Sequence, residues 1–305
     1  ASLNDSDSTP AAEVETPELN THQVVYKVDG QETASYNRFV GSEITVDAIP
    51  SKEGHTFSGW TMNGTAIDSG DEFIMPDENV VIEGAFVANT YNVNYQYSTT
   101  PPTGAPALPT SHTALYGSEV TVAAPATFTG YVFRGWKPLQ TDVTVTGGTS
   151  TMPDKDVTLV GYFESSTTTP YIVEHYLETL TDGVYETNPV LIEDAFTGTT
   201  GHTVTATPLN RLTGFTYNET KSASTISGMI AADGSLVLKI YYDRNEYNVT
   251  YAYSGDVPQD PPAKPNDETY KFGESVTVYD NVSKAGYTFK GWESQTTDKT
   301  AGESF

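Results

Sequence analysis

Side chains of the kinds that catalyse reactions or bind metals are few in this sequence, and they do not cluster. The 305 residues include no cysteine, which excludes thiolate metal sites, disulfide bonds and cysteine nucleophiles together. Zinc-protease, serine-hydrolase and P-loop motifs are also missing. We therefore expect no catalytic residue, no cofactor and no metal site, and we predict that the protein is not an enzyme. No two of the histidines are three or four residues apart; they are His22, His55, His112, His175 and His202.

Two acidic clusters are the strongest candidates for binding a cation. Asp5-Ser6-Asp7 and Asp77-Glu78 each bring carboxylates close together in sequence. Neither has the twelve-residue loop pattern of a calcium-binding site. Runs of charge are usually solvated surface, and we interpret both clusters in that way.

Two further residues admit both a chemical role and a structural one. His175 stands where the repeats described below have Tyr95 and Tyr251, and we predict a hydrogen-bonded core histidine rather than a ligand. Lys239 lies in an otherwise apolar segment, which makes it the candidate for an isopeptide bond to an asparagine. Because lysine is almost always exposed, we predict instead that its side chain lies on the solvent face of an edge strand.

The charge of the chain limits its partners. The net charge is -25, from 15 Lys and Arg against 40 Asp and Glu, and the acidic residues are spread along the sequence. Such a surface repels phosphate groups, so we expect neither nucleic-acid binding nor direct membrane binding. No apolar run approaches the ~20 residues that span a bilayer. The chain begins with Ala1 rather than methionine, and we interpret it as a fragment of a longer protein.

All three tryptophans belong to one repeated pattern. In each copy a glycine stands 19 residues before the tryptophan and begins a Gly-x-x-x-Thr-Val segment. A Met-Pro-Asp tripeptide follows Trp60 and Trp136. The copies of the tryptophan motif are Gly54–Trp60, Gly130–Trp136 and Gly286–Trp292. Internal repeats of this kind indicate a tandem array of small domains.

The residue pattern of the repeat predicts β structure. In Tyr91-Asn92-Val93-Asn94-Tyr95-Gln96-Tyr97 the aromatic residues and valine alternate with polar ones, as in a strand with one buried face. Asn63-Gly64 predicts a type I′ hairpin turn, and Met-Pro-Asp is predicted to start the closing strand. We predict that Trp60, Trp136 and Trp292 are the core anchors of their domains, because burying one indole supplies much of a small core.

The spacing of the tryptophans reveals one more module. Trp60 and Trp136 are 76 residues apart, whereas Trp136 and Trp292 are 156 apart, about twice that distance. A module of similar length without tryptophan therefore fills residues 166–245.

These motifs resemble the Listeria–Bacteroides repeat, also called the internalin B-type repeat. The resemblance rests on the Val-Thr-Val, Gly-Tyr-x-Phe-x-Gly-Trp and Met-Pro motifs and covers residues 22–88, 89–165 and, in part, 246–305. It implies a small β-grasp (ubiquitin-like) fold, present in several copies on bacterial surface proteins and without catalytic activity.

Residues 166–245 are similar to a mucin-binding protein (MucBP) domain. The similarity is carried by Tyr171–Glu178, Thr197–Gly201, Gly214–Tyr217 and Val237–Tyr242. It implies adhesion to a host mucin, glycan or glycoprotein. The similar length and the tyrosines of the first strand suggest that this module shares the β-grasp core of the repeats.

We accordingly expect a mainly β protein, made of small α+β modules in an elongated tandem array. Residues 1–21 are a flexible acidic leader. The first repeat is residues 22–88, the second repeat 89–165, the middle module 166–245 and the third repeat 246–305. The next Met-Pro-Asp is due after the end of the chain, so we predict that the third repeat is truncated before its last strand.

Two functions fit this organisation. The chain is either a stalk with adhesion to host glycans or glycoproteins through residues 166–245, or a pure spacer that presents a binding or catalytic domain elsewhere in the parent protein. The sequence slightly favours a stalk with adhesive potential over a dedicated adhesive region, because no module shows a distinctive cluster of polar and aromatic loop residues. An exposed aromatic cluster confined to residues 166–245 would favour adhesion. We expect a monomeric segment, secreted to the bacterial surface and anchored in the cell wall through another part of the parent protein.

Overall fold

The computed structural model describes residues 19–294, which divide into two compact units. The described residues of the first unit are 19–103, 107–125 and 135–162, and those of the second are 104–106, 126–134 and 163–294. Across residues 19–294, no helix has the length and apolarity that a membrane crossing requires.

The first repeat is built on one five-stranded mixed sheet, in the order β2-β1-β8-β5-β6, with two small antiparallel pairs, β3–β7 and β4–β9. Its first and last long strands, β1 and β8, are parallel neighbours. The strands are β1 (Thr21–Val28), β2 (Gln31–Phe39), β3 (Glu43–Thr45), β4 (His55–Phe57), β5 (Trp60–Met62), β6 (Thr65–Ile67), β7 (Glu72–Ile74), β8 (Val80–Gly84) and β9 (Phe86–Ala88).

The second repeat has the same strand order without the β6 equivalent. In the first unit its sheet is β11-β10-β16-β14, with β10 and β16 parallel, and β12 pairs with β15. In the second unit β13 pairs with β17. The strands are β10 (Thr90–Tyr97), β11 (His112–Leu115), β12 (Glu119–Thr121), β13 (Tyr131–Phe133), β14 (Lys137–Pro138), β15 (Thr149–Thr151), β16 (Val157–Gly161) and β17 (Phe163–Ser165).

The middle module, in the second unit, repeats this plan with the sheet β19-β18-β23-β21, in which β18 and β23 are parallel. In the described part of the third repeat, up to residue 294, β24 and β25 form an antiparallel pair. The elements are β18 (Thr169–Leu177), β19 (Leu191–Gly198), β20 (Thr203–Thr205), β21 (Phe215–Tyr217), α1 (Glu219–Ser222), β22 (Ser227–Met229), β23 (Val237–Arg244), β24 (Glu246–Val249) and β25 (Glu268–Lys271).

The mainly β prediction is confirmed. Among residues 19–294 the one α-helix is α1, a single turn whose N-cap, Asn218, accepts a hydrogen bond from the backbone N–H of Lys221. The common sheet order also agrees with the expectation that the middle module shares the core plan of the repeats. The acidic leader up to residue 18 and the end of the third repeat from residue 295 lie outside the described residues, so those predictions stand as they were made.

The first repeat shows why the alternating pattern folds in this way. Val24 and Tyr26 of β1 are buried, while the residues beside them face outward in part. They meet Val80 and Ile82 of β8 on the same face of the sheet, and Trp60 completes the cluster at 4% exposure. Each buried aliphatic side chain of this kind contributes about 1.5–3 kcal/mol.

Two local predictions have different outcomes. Asn63 and Gly64 have positive φ angles of 51° and 80° between β5 and β6, as the type I′ prediction requires. The prediction that Met-Pro-Asp starts the closing strand is wrong, because β8 begins only at Val80. Met75 instead turns into the core at 1% exposure, and its backbone N–H donates to the Ser42 carbonyl.

Candidate functional site

The three tryptophans lie in buried positions, with exposed fractions of 4% for Trp60 and 7% for both Trp136 and Trp292. The indole N–H of Trp60 donates to the Asp47 carbonyl at 3.1 Å, and that of Trp292 donates to the Asp280 carbonyl at 3.2 Å. These rings are therefore part of the cores and offer no open face on which a ligand can stack.

A tyrosine packs edge-on against each tryptophan. Tyr26, Tyr95 and Tyr251 lie 5.2, 5.1 and 5.1 Å from the indole centroids, with interplanar angles of 71°, 75° and 73°. Edge-to-face pairs add about 0.5–1.5 kcal/mol beyond the burial of their area. The hydroxyl of each tyrosine also accepts a hydrogen bond from the backbone N–H of the residue after the Thr-Val dipeptide; the donors are Asp47, Ala123 and Tyr279.

His175 occupies the corresponding place in the middle module and has no exposed surface. Its Nδ1 lies 2.9 Å from the Tyr242 hydroxyl and its Nε2 lies 2.8 Å from Glu193. A carboxylate only accepts, so Nε2–H donates to Glu193, while Nδ1 and the Tyr242 hydroxyl share a second hydrogen bond and the Tyr242 oxygen also accepts the Leu209 backbone N–H. His175 is thus a hydrogen-bonded core histidine, as the sequence predicts, and no substrate can reach it.

Lys239 faces solvent, but not from an edge strand. Its side chain is 41% exposed, and its Nζ lies 3.8 Å from Glu174 Oε2. The edge-strand prediction is wrong, because β23 lies between β18 and β21. The lysine remains accessible because every second residue of even a central strand points to the outer face of the sheet.

The Asp77-Glu78 cluster gains no partner that resembles a metal ligand set. Asp77 accepts hydrogen bonds from His22 and Asn20, and these bonds lower the pKa of its carboxyl group. Within residues 19–294 no three His, Cys, Asp or Glu side chains are grouped as they would be around a metal ion. Asp5-Ser6-Asp7 lies outside the described residues. One small cavity, among Val93, Met152 and neighbouring core residues, is no larger than a water molecule.

The outer face of the middle module carries a cluster of tyrosines and lysines, which we call the tyrosine–lysine patch. It consists of Tyr176, Tyr185, Lys221, Lys239 and Tyr241. The rings of Tyr176 and Tyr241 are stacked at 5.4 Å, and Tyr185 meets Tyr241 edge-on at 4.9 Å. The Lys221 ammonium lies 5.3 Å above the Tyr241 ring and the Lys239 ammonium 5.4 Å above the Tyr176 ring, within the range of cation–π attraction.

Hydrogen bonds hold the patch in place. The Tyr176 hydroxyl donates to Glu174 at 2.6 Å, which raises the pKa of Tyr176 to about 12. The Asp243 carboxylate accepts hydrogen bonds from the Tyr185 hydroxyl and from the Asn218 side-chain amide. Burial and this carboxylate raise the pKa of Tyr185. Tyr176 and Tyr185 therefore stay neutral at physiological pH, and the lysines supply the positive charge of the patch.

The expectation that no module shows a distinctive cluster of polar and aromatic residues concerns loop residues, whereas four residues of this patch lie on β18, β23 and α1. The five residues come from β18, the loop after it, α1 and β23, so no short window of sequence contains them. The available signal was the pair Lys239 and Tyr241, two residues apart on one face of a strand.

Comparison with known proteins gives matches to two family models. The model of the divergent InlB B-repeat domain matches residues 21–90 and 95–167, and the model of the Listeria–Bacteroides repeat domain matches residues 247–304. These limits agree closely with the three repeats found in the sequence. Neither model covers the middle module, whose similarity to MucBP domains stays a prediction.

Similar proteins come from bacteria. A relative described as "Putative membrane protein", from Evansella cellulosilytica, is 28% identical over 261 residues, which are 79% of this chain and 37% of the relative. Internalin H of Listeria monocytogenes is 28% identical over 154 residues, 49% of this chain and 26% of the relative. The chain thus spans less than two fifths of the length of these relatives.

One solved structure is also similar: domains 3-4 of the Streptococcal High Identity Repeats in Tandem (SHIRT) from a cell surface protein. It is 18% identical, covers 48% of this chain and 99% of its own, and has a TM-score of 0.24.

Proposed function

Because residues 21–90, 95–167 and 247–304 are internalin B-type repeats and the chain fits a bacterial surface repeat protein, we propose that it is a non-catalytic extracellular stalk. Its task is to bear tension between the bacterial surface and a partner of the parent protein. Anchoring to the cell wall through another part of the parent protein belongs to the same proposal.

The observation that carries this proposal is the pairing of the first long strand with the last in the first repeat, the second repeat and the middle module. β1 pairs in parallel with β8, β10 with β16 and β18 with β23. The chain enters such a pair at one end and leaves it at the other. Tension along the chain therefore shears the two strands past each other, and the hydrogen bonds between them must break together rather than one after another.

Force spectroscopy on single molecules tests this function. The chain contains no cysteine, so handles can be attached at chosen pairs of exposed residues. Thr21→Cys with Thr90→Cys loads β1 and β8 in shear. Gln23→Cys with Glu78→Cys loads the same two strands from one end, so that they unzip. We expect a clearly higher unfolding force in the first geometry, and equal forces in both would refute the tension-bearing role.

A second candidate function is adhesion to a host glycan or glycoprotein through the middle module, and the tyrosine–lysine patch favours it. Tyrosine rings provide apolar faces for sugar rings, while the two ammonium groups fit the carboxylate or sulfate of an acidic glycan. The patch lies within residues 166–245, where an exposed aromatic cluster favours adhesion over a spacer. Tyr176 is only 8% exposed, so the half-buried Tyr185 and Tyr241 and the two lysines would make the contact with the glycan.

A glycan array probed with the whole chain tests adhesion. We expect binding of acidic glycans that is lost in the double variant Lys221→Ala, Lys239→Ala. Lys155→Ala, which removes an exposed lysine of the second repeat, is the matched control and should bind as the unaltered chain does. If the unaltered chain binds no glycan, the adhesion proposal fails and the pure spacer remains.

A further inference from the structure

Each of the three module boundaries contains the same pair of backbone hydrogen bonds. At the first boundary the Asn89 N–H donates to the Gly54 carbonyl, and the Tyr116 N–H donates to the Asn89 carbonyl, both at 2.8 Å. These two hydrogen bonds join a glycine of one module, the linker residue and a residue of the next module. We call the pair of bonds the relay.

The relay recurs at the other two boundaries, each within the second unit. Gly130, Ser166 and Thr200 form it between the second repeat and the middle module, and Gly214, Asn245 and Phe272 form it between the middle module and the third repeat. The linker is therefore fixed by both of its neighbours rather than by one.

At the first and third boundaries an aromatic ring also covers the glycine. Ring atoms of Tyr116 lie so close to the α-carbon of Gly54 that a Cβ atom there would overlap them, and the same is true of Phe272 and Gly214. The residue after each glycine completes the contact. The His55 ring lies 5.5 Å edge-on from Tyr116, and the Phe215 ring lies 5.9 Å edge-on from Phe272.

A side-chain hydrogen bond to the linker asparagine also occurs at both of these boundaries. The Thr56 hydroxyl donates to the Asn89 side chain at 2.6 Å, and the Thr216 hydroxyl donates to the Asn245 side chain at the same distance. The two boundaries thus share a glycine and threonine on one module, an asparagine in the linker and an aromatic–glycine pair on the next module. At the second boundary Thr200 replaces the aromatic residue, and Ala232 covers Gly130 instead.

From this recurrence we propose that the surface around Gly54, and around Gly214, is a docking site for the aromatic–glycine segment of the following module, and that docking couples the folding of the two modules. Unfolding either module removes the ring contact and the relay, so each stabilises the other by the same amount. The inference concerns the modules themselves and holds whether or not the chain bears tension.

Hydrogen–deuterium exchange of the whole chain tests the coupling at the first boundary. Tyr116→Ala changes the second repeat, yet we expect about tenfold faster exchange in β4 and β9 of the first repeat, as for the loss of one aromatic packing contact. Tyr116→Phe keeps the ring and should exchange like the unaltered chain. Leu115→Ala removes an exposed neighbour that lies 51% open to solvent and serves as the control.

A reciprocal variant keeps the proposal falsifiable if Tyr116→Ala unfolds the second repeat. Gly54→Ala changes the first repeat and adds a Cβ atom that displaces the Tyr116 ring. We expect faster exchange in β11 and β12 of the second repeat. Gly41→Ala imposes a similar backbone strain, since both glycines have positive φ, but nothing lies near its added Cβ. If Tyr116→Ala leaves the exchange rates of β4 and β9 unchanged, the modules are independent and the proposal is wrong. The same conclusion follows if Gly54→Ala and Gly41→Ala change the exchange rates of the second repeat equally.

Discussion

Replacing Trp60 by alanine tests how far the first repeat depends on one indole. The ring is 4% exposed and packs against Tyr26 at 5.2 Å and Phe57 at 4.8 Å. Truncation of a buried aromatic side chain to alanine costs about 3–5 kcal/mol. The lost hydrogen bond to the Asp47 carbonyl adds little, because Asp47 is exposed and water can replace the indole N–H.

This loss is comparable with the whole stability of the module. A domain of about 70 residues is stable by about 3–10 kcal/mol, so Trp60→Ala should remove at least about a third of the stability of the first repeat. For a domain of this size each kcal/mol shifts the melting temperature by about 4–8 °C, which predicts a shift of at least about 12 °C.

Calorimetry combined with hydrogen exchange measures the effect. We expect the first repeat to lose protection in β1 and β8, while Trp60→Phe, which keeps a ring in the core, loses clearly less. Val87→Ala, at a position 60% exposed, is the surface control. A Trp60→Ala chain whose first repeat melts and exchanges like the unaltered one would show that the indole is not a core anchor.

Three further predictions concern the second unit and the outline of the chain. Burial raises the pKa of Glu178, but hydrogen bonds from the Gly183 and Arg244 N–H groups and from Lys271 outweigh it, and the net pKa is lowered. The Glu178 carboxylate therefore contributes its full stabilisation of the folded state above the ordinary glutamate pKa of about 4.3. This contribution is lost as the pH falls through the lowered pKa. The difference in melting temperature between the unaltered chain and Glu178→Gln should therefore shrink in acid. His175→Phe leaves the Tyr242 hydroxyl without its buried hydrogen-bond partner and should destabilise the middle module by about 1–3 kcal/mol, measured by urea unfolding. The sequence predicts an elongated array, which a compact envelope in small-angle scattering would contradict.

Much of the fold was predictable because the repeats contain strong local signals. Alternation in Tyr91–Tyr97 identifies the buried face of a strand, and Asn63-Gly64 specifies a turn by its φ requirements alone. The burial of the three tryptophans, each at the same place in its repeat, follows from the need of small domains for one large core side chain.

The remaining features depend on which strands become neighbours, and alternation does not reveal this. Lys239 was assigned to an edge strand because nothing in its segment shows that β23 lies between β18 and β21. The tyrosine–lysine patch was missed for the same reason, since Tyr176 and Tyr241 become neighbours only through the parallel pairing of β18 and β23.

The pairing of first strand with last also determines when a module can fold. Val24 pairs with Val80, 56 residues later, and Val93 pairs with Val157, 64 residues later. Contacts of such long sequence separation form only after the intervening loop has closed, which slows folding. A module that is synthesised or translocated with its amino terminus first can pair its first strand with the second early, but the parallel partner of the first strand arrives only when nearly all of the module has emerged. The central strand pairs β1–β8, β10–β16 and β18–β23 are therefore completed late, and the sheet of each of these modules cannot close before its chain is almost fully available.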